Sequence, residues 1–280
     1  MHCSSKVESG CKNHKRGRWG RAIVMLTLAA AVAIAAAACG HRGHHGHRDL
    51  SPEAVERRAI DRLGWALDDI DADDKQRATI EALARGLMPD LHKLRALHDP
   101  TREVIAGELL SGKPDANKIH TTIDEAARPT LSFVHKVADA AIGAHAALRP
   151  DQRAELAERW DRPARQWEDN WMIDAGIDRA LDKLDASPAQ EELVLDRRER
   201  LEKRAKATLK LHEGNRAALV AQMRSNKPDP RKVHALIDST ATEVQGLVHD
   251  LAGAAVDIAA TLTPKQRDLI QQKIAEHHRK

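Results

Sequence analysis

Cysteine is nearly absent from this chain: Cys3, Cys11 and Cys39 are the only three in 280 residues, and the first two lie in a basic N-terminal stretch. No disulfide framework can be built from the one that remains, so packing alone must hold the fold, and an oxidising compartment costs it nothing. A Gly-rich phosphate loop and an HExxH zinc motif are missing as well, and no cysteine nucleophile follows residue 39. The carboxylates are spread among Lys and Arg along polar helix faces, the pattern of solvated ion pairs, and the chain is expected not to be an enzyme. Alternating β-branched residues are scarce while Ala, Leu, Glu, Lys and Arg abound, which predicts an all-α fold.

What is present begins with a targeting segment. Lys6, Lys12, Lys15, Arg16, Arg18 and Arg21 stand against Glu8 alone, and Ala22 to Ala38 then run without a charge, a basic n-region followed by an apolar h-region. The run ends in Ala36-Ala37-Ala38-Cys39-Gly40, which resembles the lipobox of bacterial lipoproteins with Ala36 where Leu is usual. The resemblance implies cleavage before Cys39 and a lipid on its sulfur. The alternative is an uncleaved anchor, since seventeen apolar residues sit at the short end of what spans a bilayer core of about 30 Å. Either way the rest of the chain is expected on the periplasmic side of the envelope, because basic flanks stay inside. Gly40, in place of the Asp that retains many lipoproteins at the inner membrane, points to the outer one. Removing residues 1–39 takes six Lys and Arg and one Glu from totals of 45 and 42, leaving 39 basic against 41 acidic residues. The mature chain is thus slightly acidic, and no nucleic-acid partner is expected.

Beyond residue 50 the chain repeats itself. Ser111-Gly-Lys-Pro-Asp115 recurs 114 residues later as Ser225-Asn-Lys-Pro-Asp229, and the same offset relates Leu67-Asp68 to Leu181-Asp182, Asp71-Ala72 to Asp185-Ala186, and Ile123-Asp124 to Ile237-Asp238. A gapless match of this kind reads as a duplication. The expected division is a signal or anchor over 1–39, a His-rich tether over 40–50, one helical module over 51–165 and its copy over 166–280. In the second copy Val233, Ile237, Ala241, Val244, Val248, Leu251, Ala255 and Ile258 step by three or four, which predicts one long amphipathic helix. Its counterpart is expected to be interrupted at Pro129, where the second copy has Glu243, and the preceding helix kinked at Pro89, where the second copy has Lys203.

Four segments share one form: Asp73-Asp-Lys-Gln76, Arg149-Pro-Asp-Gln152, Ser187-Pro-Ala-Gln190 and Thr263-Pro-Lys-Gln266. The Ser and Thr versions read as capping boxes, the N-cap oxygen accepting from a free first-turn amide while Gln at N3 reaches back to the N-cap N–H, with Pro at N1. Arg149 cannot accept as an N-cap, so its helix start is expected to be weaker by about 1 kcal/mol. Leu262-Thr-Pro-Lys-Gln266 also resembles the LTxxQ signature of the Spy/CpxP family of periplasmic proteins, with Leu148-Arg-Pro-Asp-Gln152 as a degenerate twin and the segment from Leu184 to Gln190 resembling the earlier motif copy. The resemblance implies two tandem four-helix modules with long kinked helices, packed as an internal pseudo-dimer. It further implies an ATP-independent chaperone or stress-response protein whose partners are unfolded or envelope proteins, or else a heavy-metal-binding protein.

Histidines bear on the second possibility. His41, His44, His45 and His47 lie in a Gly-containing stretch after Cys39, where neutral imidazoles on a flexible backbone can converge on Zn, Ni or Cu. The alternative is a solvated tether. No cofactor is required by either reading. His98, His120 and His135 recur as His212, His234 and His249, but no two of these six stand at a chelating spacing on one helix, so a site would require separate helices to bring them together, and they are expected to be satisfied or boundary histidines. Trp160, Trp167 and Trp171 are expected to share a helical face at the junction of the copies, as packing or as apolar area offered to a client, with Trp65 in the first helix.

Overall fold

A computed structural model describes residues 51–161 and 171–278, and these form eight α-helices and no strand. They are α1 (Pro52–Asp68), α2 (Asp74–Leu110), α3 (Ala116–Ala147), α4 (Pro150–Asp161), α5 (Trp171–Leu184), α6 (Pro188–Arg224), α7 (Pro230–Thr261) and α8 (Pro264–His278). The bounds of α6 and α7 lie 114 residues after those of α2 and α3 at both ends. None of the described helices is long and apolar enough to cross a membrane; the apolar run from Ala22 to Ala38 lies outside the described residues.

Local chemistry sets the helix starts. Asp73 and Ser187 close full capping boxes with Gln76 and Gln190, Asp115 accepts from the Lys118 amide at 3.1 Å, and Asp229 accepts from Arg231 N at 2.9 Å. Thr263 makes both bonds of its box, with Gln266 Oε1 at 2.9 Å and Gln266 N at 3.3 Å. At Arg149 only the half supplied by Gln152 remains, at 2.8 Å from the Arg149 amide, as expected of a residue with no acceptor.

The prolines do not break the helices that contain them. Pro89, Pro100 and Pro129 all sit inside continuous helices, so Pro129 does not interrupt α3 as expected. Each removes one N–H from the ladder, but the long antiparallel neighbour fixes the path on either side. What Pro129 does remove is the ion pair of the other half, where Glu243 meets Arg204 at 3.0 Å.

Between α1 and α2, and again between α5 and α6, the chain turns through the same rare conformation. Asp71 and Asp185 have φ of 50° and 51°. The Ala72 amide bonds back to Leu67 O at 3.0 Å and the Ala186 amide to Leu181 O at 3.1 Å, closing a Schellman turn with Asp where Gly is usual. An L side chain pays a steric penalty there. Asp71→Gly and Asp185→Gly are therefore each expected to stabilise the chain by about 0.5–1 kcal/mol in urea unfolding; a loss of stability would mean that the carboxylates contribute something beyond the turn.

The helices pair as α2 on α3 and α6 on α7, with α3 against α7 across the halves, α4 against α6, and α1 on α2. The interior is thin, with buried residues such as Ile119, Ile123 and Phe133 on α3 and Val233, Ala254 and Ala259 on α7. A second inter-half contact lies between α4 and α6, where Arg224 pairs with Asp161 at 3.0 Å and Arg216 donates to Trp160 O at 3.2 Å. His145 of α3 lies 3.0 Å from Met223 O at the end of α6.

Burial pushes His145 below its ordinary value, and burial with the nearby Arg216 does the same to His212. Both rings are thus held neutral by the fold and take up protons more readily when unfolded. Their stabilisation is complete above the unfolded value near 6.5 and is lost as pH falls through the lower folded values. Urea midpoints should drop on moving from pH 7.5 toward 5, and His212→Gln should flatten that slope; an unchanged slope would exclude His212 as a contributor.

Candidate functional site

The motif glutamines do more than cap. Gln76 Nε2 donates to Gln152 Oε1 at 2.9 Å and Gln152 Nε2 returns a bond to Gln76 Oε1 at 3.1 Å. Gln76 also reaches Ala147 O, at 2.9 Å, and Gln152 reaches Ile70 O and Asp71 O, at 3.0 and 3.1 Å. Each amide thus joins its own N-cap to the end of another helix, and both are buried. The second half repeats the clasp: Gln190 and Gln266 bond reciprocally at 3.0 and 3.1 Å, with Thr261 O and Leu184 O as the further acceptors. Sequence reading gave these residues a capping role and missed the clasp. The signal was the constant separation of 76 residues between the paired glutamines in each half.

Each clasp sits beside an apolar cluster, and here the halves diverge. In the first, Leu67, Ile70, Ala72, Ile80 and Leu148 are buried together, with Leu63, Ala144 and Leu156 packed against them. In the second, the equivalent Ile177, Leu181, Leu184, Val194, Ile258 and Leu262 line an open cleft of about 180 Å³ between α5, α6, α7 and the start of α8. The charges around the two clusters differ as well. Arg159 of α4 pairs with Asp69 at 2.9 Å, and Arg77 of α2 pairs with Asp68 at 2.6 Å, tying α1 down from two sides. The corresponding positions carry Lys273 with Lys183, and Glu191 with Asp182. At both places opposite charges are replaced by like ones, and Lys273 pairs instead with Glu276 of its own helix at 2.8 Å. Ala157 of α4, fully buried, is replaced by the longer, polar Gln271.

Further apolar side chains stand exposed on the long helices: Leu97 and Val104 on α2, Leu195, Leu209 and Leu211 on α6, and Trp65 on α1. Leu97 and Leu211 are equivalent positions. Trp160 is half-buried at the end of α4, and Trp171 opens α5, a separate helix. Trp167 lies outside the described residues, as do Cys39 and the tether histidines His41, His44, His45 and His47.

The seam between α3 and α7 brings four of the repeated histidines together. His135 Nδ1 lies 2.9 Å from His234 Nδ1, and His120 Nδ1 lies 2.6 Å from His249 Nδ1. Three of the four other ring nitrogens meet carboxylates: His135 Nε2 is 2.8 Å from Asp238, His234 Nε2 2.8 Å from Asp139, and His249 Nε2 2.8 Å from Asp124. Gln245 donates to Asp124 at 2.7 Å, and this bond, with those of His249, holds the Asp124 carboxyl below its usual value. The sequence signal was His followed by Asp four residues on, at His120, His135 and His234, although His135, His234 and His249 each take their carboxylate from the opposite helix. Among the described residues, no group of three or more His, Cys, Asp or Glu converges as a closed metal-ligand set. Comparison of the chain with protein-family models, with curated proteins and with solved structures returns no match.

Proposed function

We propose that this chain is an envelope holder of partly unfolded polypeptides, a doubled module of the Spy/CpxP kind held at the periplasmic side of the membrane by lipidated Cys39 or by its uncleaved apolar run. The observation that carries the reading is the open apolar cleft of the second half beside a closed counterpart in the first. A cleft of this size takes one or two client side chains, and the exposed leucines of α2 and α6 extend the apolar surface along helices otherwise rich in charge. Binding on such a surface is loose and reversible, because a thin apolar strip among charges buries little area. No nucleotide or cofactor enters this activity, and the work is binding without bond-making.

Light scattering of an aggregating client, with and without the protein, tests the reading. Equimolar protein should suppress most of the scattering without ATP. Undiminished aggregation at that ratio overturns it.

A further inference from the structure

We infer that the α3–α7 seam holds two sites for an imidazole-preferring divalent transition ion, one between His135 and His234 and one between His120 and His249. A carboxylate accepts and cannot donate, so Asp238 and Asp139 place a proton on Nε2 of His135 and of His234. The Nδ1 of a neutral ring so fixed carries a lone pair, and the two Nδ1 atoms face each other at 2.9 Å. Two converging lone pairs repel unless a cation lies between them. Carboxylates behind metal-binding imidazoles are the usual outer support, setting the tautomer and raising ring basicity.

The dimensions suit zinc or copper. Two Zn–N bonds of about 2.05 Å at a tetrahedral angle separate the nitrogens by about 3.3 Å, so the His135 and His234 rings need to part by less than about half an ångström from their present 2.9 Å. The side chains of His135 and His234 are 24% and 30% exposed, which leaves water to complete the coordination. Two carboxylates and two neutral rings also present a double negative charge to a dication. At the other site Asp124 supports His249, but the position equivalent to Asp139 is Gly253, so the His120–His249 site should be the weaker.

Zinc chloride added to the whole chain at neutral pH tests this, read by equilibrium dialysis and by thermal melting. His41, His44, His45 and His47 are first changed to Gln to remove the tether's own affinity. That variant should still bind two zinc ions per chain and melt higher with zinc, because the ions bridge the halves. His135→Gln with His234→Gln should remove the tighter ion and most of the melting shift, and His120→Gln with His249→Gln the weaker ion. Asp139→Asn with Asp238→Asn keeps both rings and should weaken the tighter site by about 10–100-fold, which serves as the readout should the ring variants fail to fold. The inference is overturned if the tether variant binds no zinc, the seam then holding only a proton, or if zinc binding and the melting shift survive in the ring variants or are unmoved in the Asn variant.

Discussion

Replacing Gln152 by alanine is expected to lower stability by about 3–5 kcal/mol, enough to unfold much of the chain near its working temperature. The side chain is 1% exposed and its amide serves four partners on three segments. Truncation leaves the buried Ile70 O and the partly buried Asp71 O and Arg149 amide without that partner, a cost of about 1–3 kcal/mol for the buried group and less for each of the others, to which the cavity left by the side chain adds. Gln76 retains Ala147 O and the Asp73 amide, which keeps the loss below the simple sum. The equivalent Gln266→Ala should cost less, because its cluster is already open on one side and its amide reaches one backbone carbonyl instead of two. Gln152→Glu separates donation from shape. A carboxylate there faces two carbonyls it cannot donate to, so this variant should be as unstable as the alanine form at neutral pH and recover as acid returns a proton to it. Urea unfolding of the three variants decides the matter; equal, small losses at Gln152 and Gln266 would reduce both glutamines to caps.

Much of this architecture could be read from the residues because helices announce themselves locally. The three-and-four stepping from Val233 to Ile258 and the caps at Asp73, Ser187 and Thr263 depend only on near neighbours, and the structure places helices there. Continuity through Pro129 was not legible, since it depends on the antiparallel neighbour, which the local sequence does not contain. The clasp was half legible: capping by Gln76 is local, whereas its bond to Gln152 spans 76 residues. The histidine pairs were illegible for the same reason. They form between antiparallel α3 and α7, so His120 meets His249 and His135 meets His234, a crossing that no spacing along one helix reveals. The cleft was legible only as a difference between copies. Lys183 and Lys273 are unremarkable surface residues until set beside Asp69 and Arg159.

That comparison gives the sharpest test of the proposed activity. Lys183→Asp, Lys273→Arg and Glu191→Arg together rebuild in the second half the two ion pairs that close the first. Solvated pairs of this kind contribute at most about 1 kcal/mol each, but they draw α8 and α6 onto α5 and let Ile177, Leu181 and Leu262 lose the remaining water contact, a gain of about 1–2 kcal/mol at 25 cal/mol per Å². The triple variant should melt about 2–4 °C higher and lose most of its suppression of client aggregation, because the space for client side chains is filled by the protein's own. The reverse change tests the same logic from the other side. Asp69→Lys with Arg159→Lys should melt lower, open the first-half cluster, and increase the amount of client held per chain. A triple variant that gains stability yet holds clients undiminished would keep the account of the cleft's opening and remove the cleft as the place where clients bind, leaving the exposed leucines of α2 and α6 as the surface to mutate next.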